Sequence, residues 1–227
     1  MVKLSKKQKQ YLEVGVVLLI ALFSIVFWNS IIIYPIKFFV VLSHEISHGV
    51  MAILTGGKIV SLDIQANLGG ECVSNGGIKI LIASAGYLGS LTIGSLLFIS
   101  GYIRKLSLWV CSILSVLIIL FLANFMSSSL QMVFALFIAA LLFISPRFFN
   151  PSFNSYLLKT LGLISSLYVL IDIKEDLLTL TYRQSDAQLI ADVTGIDAVV
   201  WGGLWFLISI VAVFYLFKFS FIKGFKK

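Results

Sequence analysis

Residues 106–145 carry no charged side chain, and neither do residues 80–103 or 198–217. One crossing of a bilayer takes about 20 predominantly apolar residues, so the first of these runs is long enough for two. Charged residues make up 12% of the 227-residue chain, against about 25% in ordinary soluble domains. Mean hydropathy is +1.05. These features imply an all-α polytopic membrane protein and exclude an ordinary soluble domain.

Apolar periodicity and breakers predict helical spans at about 12–29, 35–55, 79–101, 106–124, 128–145, 154–178 and 196–218. That makes about six or seven transmembrane helices, six if one segment is re-entrant. Pro35 suits the first turn of the second helix and Gly56-Gly57 its end. The stretch "SPRFFNPSFNS" (145–155) separates the fifth from the sixth. The first apolar run is longer than the hydrophobic part of a signal peptide and lacks a small-residue cleavage pattern, so it reads as a retained span. No internal repeat or low-complexity linker divides the chain. One membrane-embedded domain over residues 1–227 is expected, with a β-like insert at 56–78 and an interfacial segment at 179–195.

The net charge of +7 gathers at the ends, in Lys3, Lys6, Lys7 and Lys9 and in Lys218, Lys223, Lys226 and Lys227. Lysines flanking apolar spans point to lipid headgroups, not to nucleic acid. The N-terminal cluster favours a cytoplasmic start. Seven spans would then leave the C-terminal lysines on the opposite side, so orientation stays open. Cys72 and Cys111 form no Cys-x-x-Cys pattern and provide no disulfide framework.

Within the apolar second span stands His44-Glu45-Ile46-Ser47-His48, which holds both histidines of the chain. Polar groups at membrane depth are costly and usually functional. Histidines four apart stack on one helix face, and neutral imidazole nitrogens are good zinc ligands. His44 and His48 are therefore candidate metal ligands, and Glu45 beside them is a candidate general base acting on a water. A third ligand has to be a carboxylate, from Glu13, Asp63, Glu71, Asp172, Glu175, Asp176, Asp186, Asp192 or Asp197. Depth selects among them. His48 lies roughly 10 Å inside a helix ending near Thr55, and Asp172 roughly 9 Å inside one ending near Leu178 on the same side. Asp172 is thus the expected third ligand, Asp176 the reserve, and Asp186 either a ligand or part of the N-terminal cap of a short interfacial helix with Ser185.

The insert 56–78 differs from its surroundings. Ile59–Ile64 has β-type composition, Gly69-Gly70 offers a turn, and a shorter strand through Val73 can follow. Ala85 and Gly89 in "SAGYLGS" form a small-xxx-small pair that lets helices approach closely.

With "SHEISHGVMAILTGG" (43–57), "SAGYLGSLTIGSL" (84–96) and "LYVLIDIKEDLL…SDAQLIADVTGIDAVVWGGLW" (167–205), the chain resembles the site-2 protease family of intramembrane zinc metallopeptidases, in its compact bacterial and plant branch. The resemblance implies one Zn²⁺ held by His44, His48 and an aspartate on a later span, with Glu45 catalytic. In better-known members that aspartate stands in a Leu-Asp-Gly motif, whereas here Asp172 is followed by Ile173.

The expected function is hydrolysis of a peptide bond in or beside a transmembrane segment of a membrane-protein or peptide substrate. The bilayer is the other partner, no nucleic acid is expected, and oligomeric state is not encoded legibly. The expected location is multi-pass in a bacterial inner membrane or an organelle membrane. An inactive scaffold or regulator keeping the fold is the alternative, with a metal transporter behind it.

Overall fold

A computed structural model of the protein describes residues 5–27, 30–178 and 185–225. Lys3, Lys226, Lys227 and the stretch 179–184 of the expected interfacial segment lie outside the described residues. In chain order come α1 (Lys6–Val26), a 3-10 turn (Ile31–Ile33), α2 (Tyr34–Leu54), the hairpin strands β1 (Lys58–Ile64) and β2 (Gly70–Asn75), α3 (Lys79–Ser100), α4 (Arg104–Phe125), α5 (Ser129–Phe148), α6 (Pro151–Leu178), α7 (Asp186–Thr194) and α8 (Ala198–Phe225).

Among the described residues, α2 to α6 and α8 make six helices long and apolar enough to cross a membrane. The apolar stretch of α1, Val14–Phe23, is shorter. The protein is an integral multi-pass membrane protein. Pro146 does not end α5, which continues to Phe148, and Pro151 opens α6. A proline in the first turn forfeits no helical hydrogen bond.

Helix α2 is the innermost element. Phe38, Phe39, Val40, Val41, Leu42 and Ser43 are consecutive and all buried, as for a helix surrounded on every side. Its serines are satisfied locally: Ser43 donates to the Phe39 carbonyl at 2.8 Å and Ser47 to the Ser43 carbonyl at 2.6 Å. Helix α3 packs between α2 and α6. A Cβ at Gly94 would come 2.8 Å from the Gly162 carbonyl oxygen, so small residues bring the α3 and α6 backbones together.

The insert is an antiparallel hairpin with Leu62 opposite Cys72 and Ile64 opposite Gly70, bulged between Ile59 and Ser61. Its turn differs from the glycine turn expected. Gln65 to Leu68 make the reversal, the Leu68 amide donating to the Gln65 carbonyl at 2.8 Å, and Leu68 takes the left-handed backbone at φ 67°. Asn67 Oδ1 accepts from the Gly69 amide at 2.9 Å, the local bond by which Asn favours turns. Gly70 is instead the first residue of β2, where its lack of a side chain serves close approach to the site.

Candidate metal centre

The His-Glu-x-x-His turn sits in the second half of α2. His48 donates from Nδ1 to the Ile82 carbonyl of α3 at 2.7 Å. That bond places the proton on Nδ1 and leaves the Nε2 lone pair facing inward, the arrangement by which ligating histidines are normally held. His44 turns its Nε2 to the same point.

Asp186, the first residue of α7, completes the convergence. Its Oδ2 lies 3.1 Å from His44 Nε2 and 3.2 Å from His48 Nε2. Among the described residues, His44, His48 and Asp186 form a group whose ligand atoms all lie within 4.8 Å of one another. Ligands about 2.0–2.1 Å from a tetrahedral zinc stand roughly 3.3 Å apart, close to the two Asp186 distances. Two nitrogens and a carboxylate oxygen are also a donor set that zinc accepts readily.

A second observation supports the fit. A Cβ built on Gly86 of α3 would lie 2.5 Å from His48 Nε2 and would also overlap His44 Nε2. The cradle exists because that position has no side chain. One turn on, a Cβ at Gly89 would overlap the Ser47 side chain. Ile82, Gly86 and Gly89 thus form the face of α3 against the His-Glu-x-x-His turn, Ile82 and Gly86 meeting the histidines and Gly89 meeting Ser47.

Asp172 reaches the same level as expected from its depth, but on the other side of the ring. Its Oδ2 is 3.4 Å from His44 Nδ1, and that buried nitrogen has no aligned hydrogen-bond partner among the described residues. Tyr168, one turn before, hydrogen-bonds to Asp172. Asp176, the reserve candidate, takes the Tyr87 hydroxyl, and the Tyr87 ring stands edge-on to His44 at 5.4 Å. So Asp186 completes the group that could hold a metal ion, Asp172 meets the far nitrogen of His44, and Asp176 holds Tyr87.

Ser185 caps α7, its Oγ accepting from the Gln188 amide at 3.2 Å. This frees the Asp186 carboxylate to face the histidines. Burial alone would raise the Asp186 carboxyl, yet the imidazoles of His48 and His44 beside it hold it below the usual carboxylate range. A carboxylate wedged between two Nε2 atoms calls for a cation, whether protons on the rings or a metal ion.

Glu45 is 3% exposed. Its carboxylate fills the space that a Gly70 side chain would need. Both residues line a cavity of about 800 Å³ that also includes His44, His48, Asp186 and Cys72. The Cys72 thiol on β2 is pushed up to about 12 by burial and by the Glu45 charge.

Sequence reasoning missed Gly86, the Ile82 carbonyl, Tyr87 and Gly70. The spacing of Ile82, Gly86 and Gly89 at i, i+4 and i+7 is the signal that marks the α3 face; the small pair Ala85 and Gly89 pointed to the right helix but passed over Gly86.

A family model described as Peptidase M50B-like matches residues 16–216, from within α1 to within α8. No curated protein and no solved structure matches the chain. With the family match spanning the site and nearly all of the helical scaffold, the chain belongs to the Peptidase M50B-like family, among the membrane metallopeptidases of site-2 protease type that its sequence resembles.

Proposed function

We propose that the protein is an intramembrane zinc endopeptidase that hydrolyses a peptide bond in or next to a transmembrane segment of a membrane-protein substrate. His44, His48 and Asp186 hold the metal, Glu45 is the catalytic base, and Asp172 orients His44 from its far nitrogen. The observation that carries the reading is the convergence of two Nε2 atoms and one carboxylate oxygen beside a buried glutamate, at the wall of a cavity large enough for a peptide.

A zinc held there would supply Lewis acidity, to polarise the scissile carbonyl and to make a water acidic enough to react near neutral pH. Glu45 would take a proton from the attacking water as its oxygen bonds to the scissile carbonyl carbon, and would pass that proton to the amine as the C–N bond breaks. The Ile82 carbonyl keeps the proton of His48 on Nδ1, and Asp172 favours the same tautomer in His44. Gly86 of α3 leaves room for the two imidazoles, and the Tyr87 ring packs edge-on against His44. A transmembrane helix hides its carbonyls in hydrogen bonds, so the substrate has to unwind locally. Strand β2 lines the cavity beside Glu45 and offers backbone partners to an extended segment.

The test compares purified wild type with Glu45→Gln for zinc content and for cleavage of a helical membrane substrate. Equal zinc, with cleavage lowered by about 10²–10⁴-fold in the variant, is expected. Absence of cleavage by the zinc-loaded wild type across a substrate panel would refute the proposal and favour a scaffold.

A further inference from the structure

A second, smaller cavity of about 350 Å³ lies at the turn end of the hairpin, between the start of α2 and the start of α5. Its aromatic wall is Tyr34, Phe38 and Phe134, with ring centroids 5.4 Å apart for Tyr34–Phe134 and 5.5 Å for Phe38–Phe134. Its polar wall includes Asp63 of β1 and Gln131 of α5, with Gln65 and Ser128 beside them. Gln65 belongs to the linings of both this cavity and the larger one that holds the metal centre.

The polar wall has a definite sense. Gln131 is 6% exposed and gives its amide Nε2 to the Asp63 carboxylate. Turning the amide over would set its oxygen against that carboxylate, so the assignment is fixed by charge. Gln131 Oε1 is then buried with no hydrogen-bond partner among the described residues. Leaving such an acceptor unmatched is unfavourable. The cavity is therefore lined by a carboxylate, by aromatic rings and by the glutamine whose buried Oε1 is unmatched. All three attract a cation with N–H donors.

We infer that this cavity is a specificity subsite for a lysine or arginine side chain of the substrate. The inference rests on the proteolytic reading for its occupant: transmembrane segments are commonly flanked by lysine and arginine, and the cavity adjoins the catalytic one at Gln65. A substrate strand lying along the hairpin past Glu45 delivers its flanking cation to Asp63. Bound there, the ammonium or guanidinium donates to Gln131 Oε1 and sits against the rings.

The test reads binding, not turnover, so it stands apart from the protease assay. Fluorescent hydrophobic peptides, identical except for one Lys, Arg, norleucine or Glu placed at successive positions, are titrated into full-length Glu45→Gln protein in nanodiscs of phosphatidylcholine. Fluorescence anisotropy is expected to show the Lys and Arg peptides binding about tenfold tighter than the norleucine peptide at one position, the scale of a desolvated cation–aromatic contact with a charge-assisted bond. Asp63→Asn and, separately, Gln131→Leu should bring the preference within about twofold while thermal unfolding shows both folded. Equal affinities for the Lys and norleucine peptides at every position would overturn the subsite. So would a preference that survives both substitutions, and so would its disappearance when phosphatidylethanolamine is added, which would assign the cavity to a lipid amine. A protein that fails to cleave yet shows the Asp63-dependent preference would refute the proteolytic reading and leave the cation subsite standing.

Discussion

Replacing Gly86 by alanine tests the centre through a residue that ligates nothing. The added methyl would lie 2.5 Å from His48 Nε2. Ordinary contact begins near about 3.5 Å, so α3 has to retreat by roughly 1 Å or the imidazoles have to turn. Retreat loosens the α2–α3 packing, and overpacking of this kind costs about 1–3 kcal/mol. It also lengthens the 2.7 Å bond from His48 Nδ1 to Ile82, and loss of such a supporting bond lowers metal affinity by about 10–100-fold. Gly89→Ala is the control: its methyl overlaps Ser47 in the same interface but touches neither ring. Thermal unfolding of the metal-free proteins and zinc competition against a chelator of known affinity separate the two effects. Both variants should lose comparable stability. Only Gly86→Ala should lose zinc affinity, with Gly89→Ala staying within about twofold of wild type. A Gly86→Ala protein that unfolds and binds zinc like wild type would refute the argument that the empty Cβ position makes the cradle.

The same competition assay ranks the carboxylates. On the proposed roles, a ligand and the group orienting one, Asp186→Asn should lose zinc affinity by more than about 100-fold and Asp172→Asn by about 10–100-fold; the reverse order would exchange those roles. Cys72 supplies a pH test. With the thiol at about 12 in place of 9.0, the reactive thiolate at pH 8 is about 1,000-fold scarcer than in the unfolded chain. In a Cys111→Ser background, iodoacetamide should therefore modify folded protein at least about 100-fold more slowly than unfolded protein. The folded thiol keeps its proton where the unfolded one has lost it, so this group's contribution to stability is complete below pH 9 and declines as pH rises towards 12. Equal alkylation rates would contradict the half-buried placement of Cys72 beside Glu45.

What the sequence made legible was what local periodicity and composition control. Uncharged runs revealed the long helices, Pro35 and Gly56 marked the ends of α2, and β-type residues announced the hairpin. The i, i+4 spacing of His44 and His48 put two rings on one face of a helix. What stayed illegible depended on how separate elements meet. Depth counting brought Asp172 to the level of His44, which is where it lies at 3.4 Å, but depth along a helix does not reveal which ring nitrogen a carboxylate will face. The glycines at 69 and 70 invited a turn. Yet Leu68 adopts the left-handed backbone, and Gly70 is required by the neighbouring Glu45 carboxylate, a contact between residues 25 apart in the chain. Ser185 and Asp186 are both good helix-capping residues. Only the observed cap at Ser185 shows that Asp186 is released for another task.

The charge of the assembled cluster gives the strongest reason for a divalent ion. Glu45, Asp172, Asp176 and Asp186 all line one cavity with two imidazoles, within a membrane-spanning bundle. If these four carboxylates are ionised and both rings neutral, they carry four negative charges, an arrangement that a low-dielectric bundle strongly disfavours. Protonating both rings would offset two of them, but that would occupy the nitrogens that converge on Asp186 and leave Glu45 no acidic water to act upon. A divalent cation offsets the same two charges while keeping His48 in the tautomer set by Ile82 and Glu45 free to accept a proton. Metal removal should accordingly destabilise the protein. The zinc-loaded protein should melt higher than the metal-free one by an amount that grows with free zinc concentration. In Asp186→Asn that dependence should largely vanish. A melting temperature indifferent to zinc in the wild type would mean that the rings and carboxylates balance one another unaided, and the metal reading of this cluster would have to be abandoned.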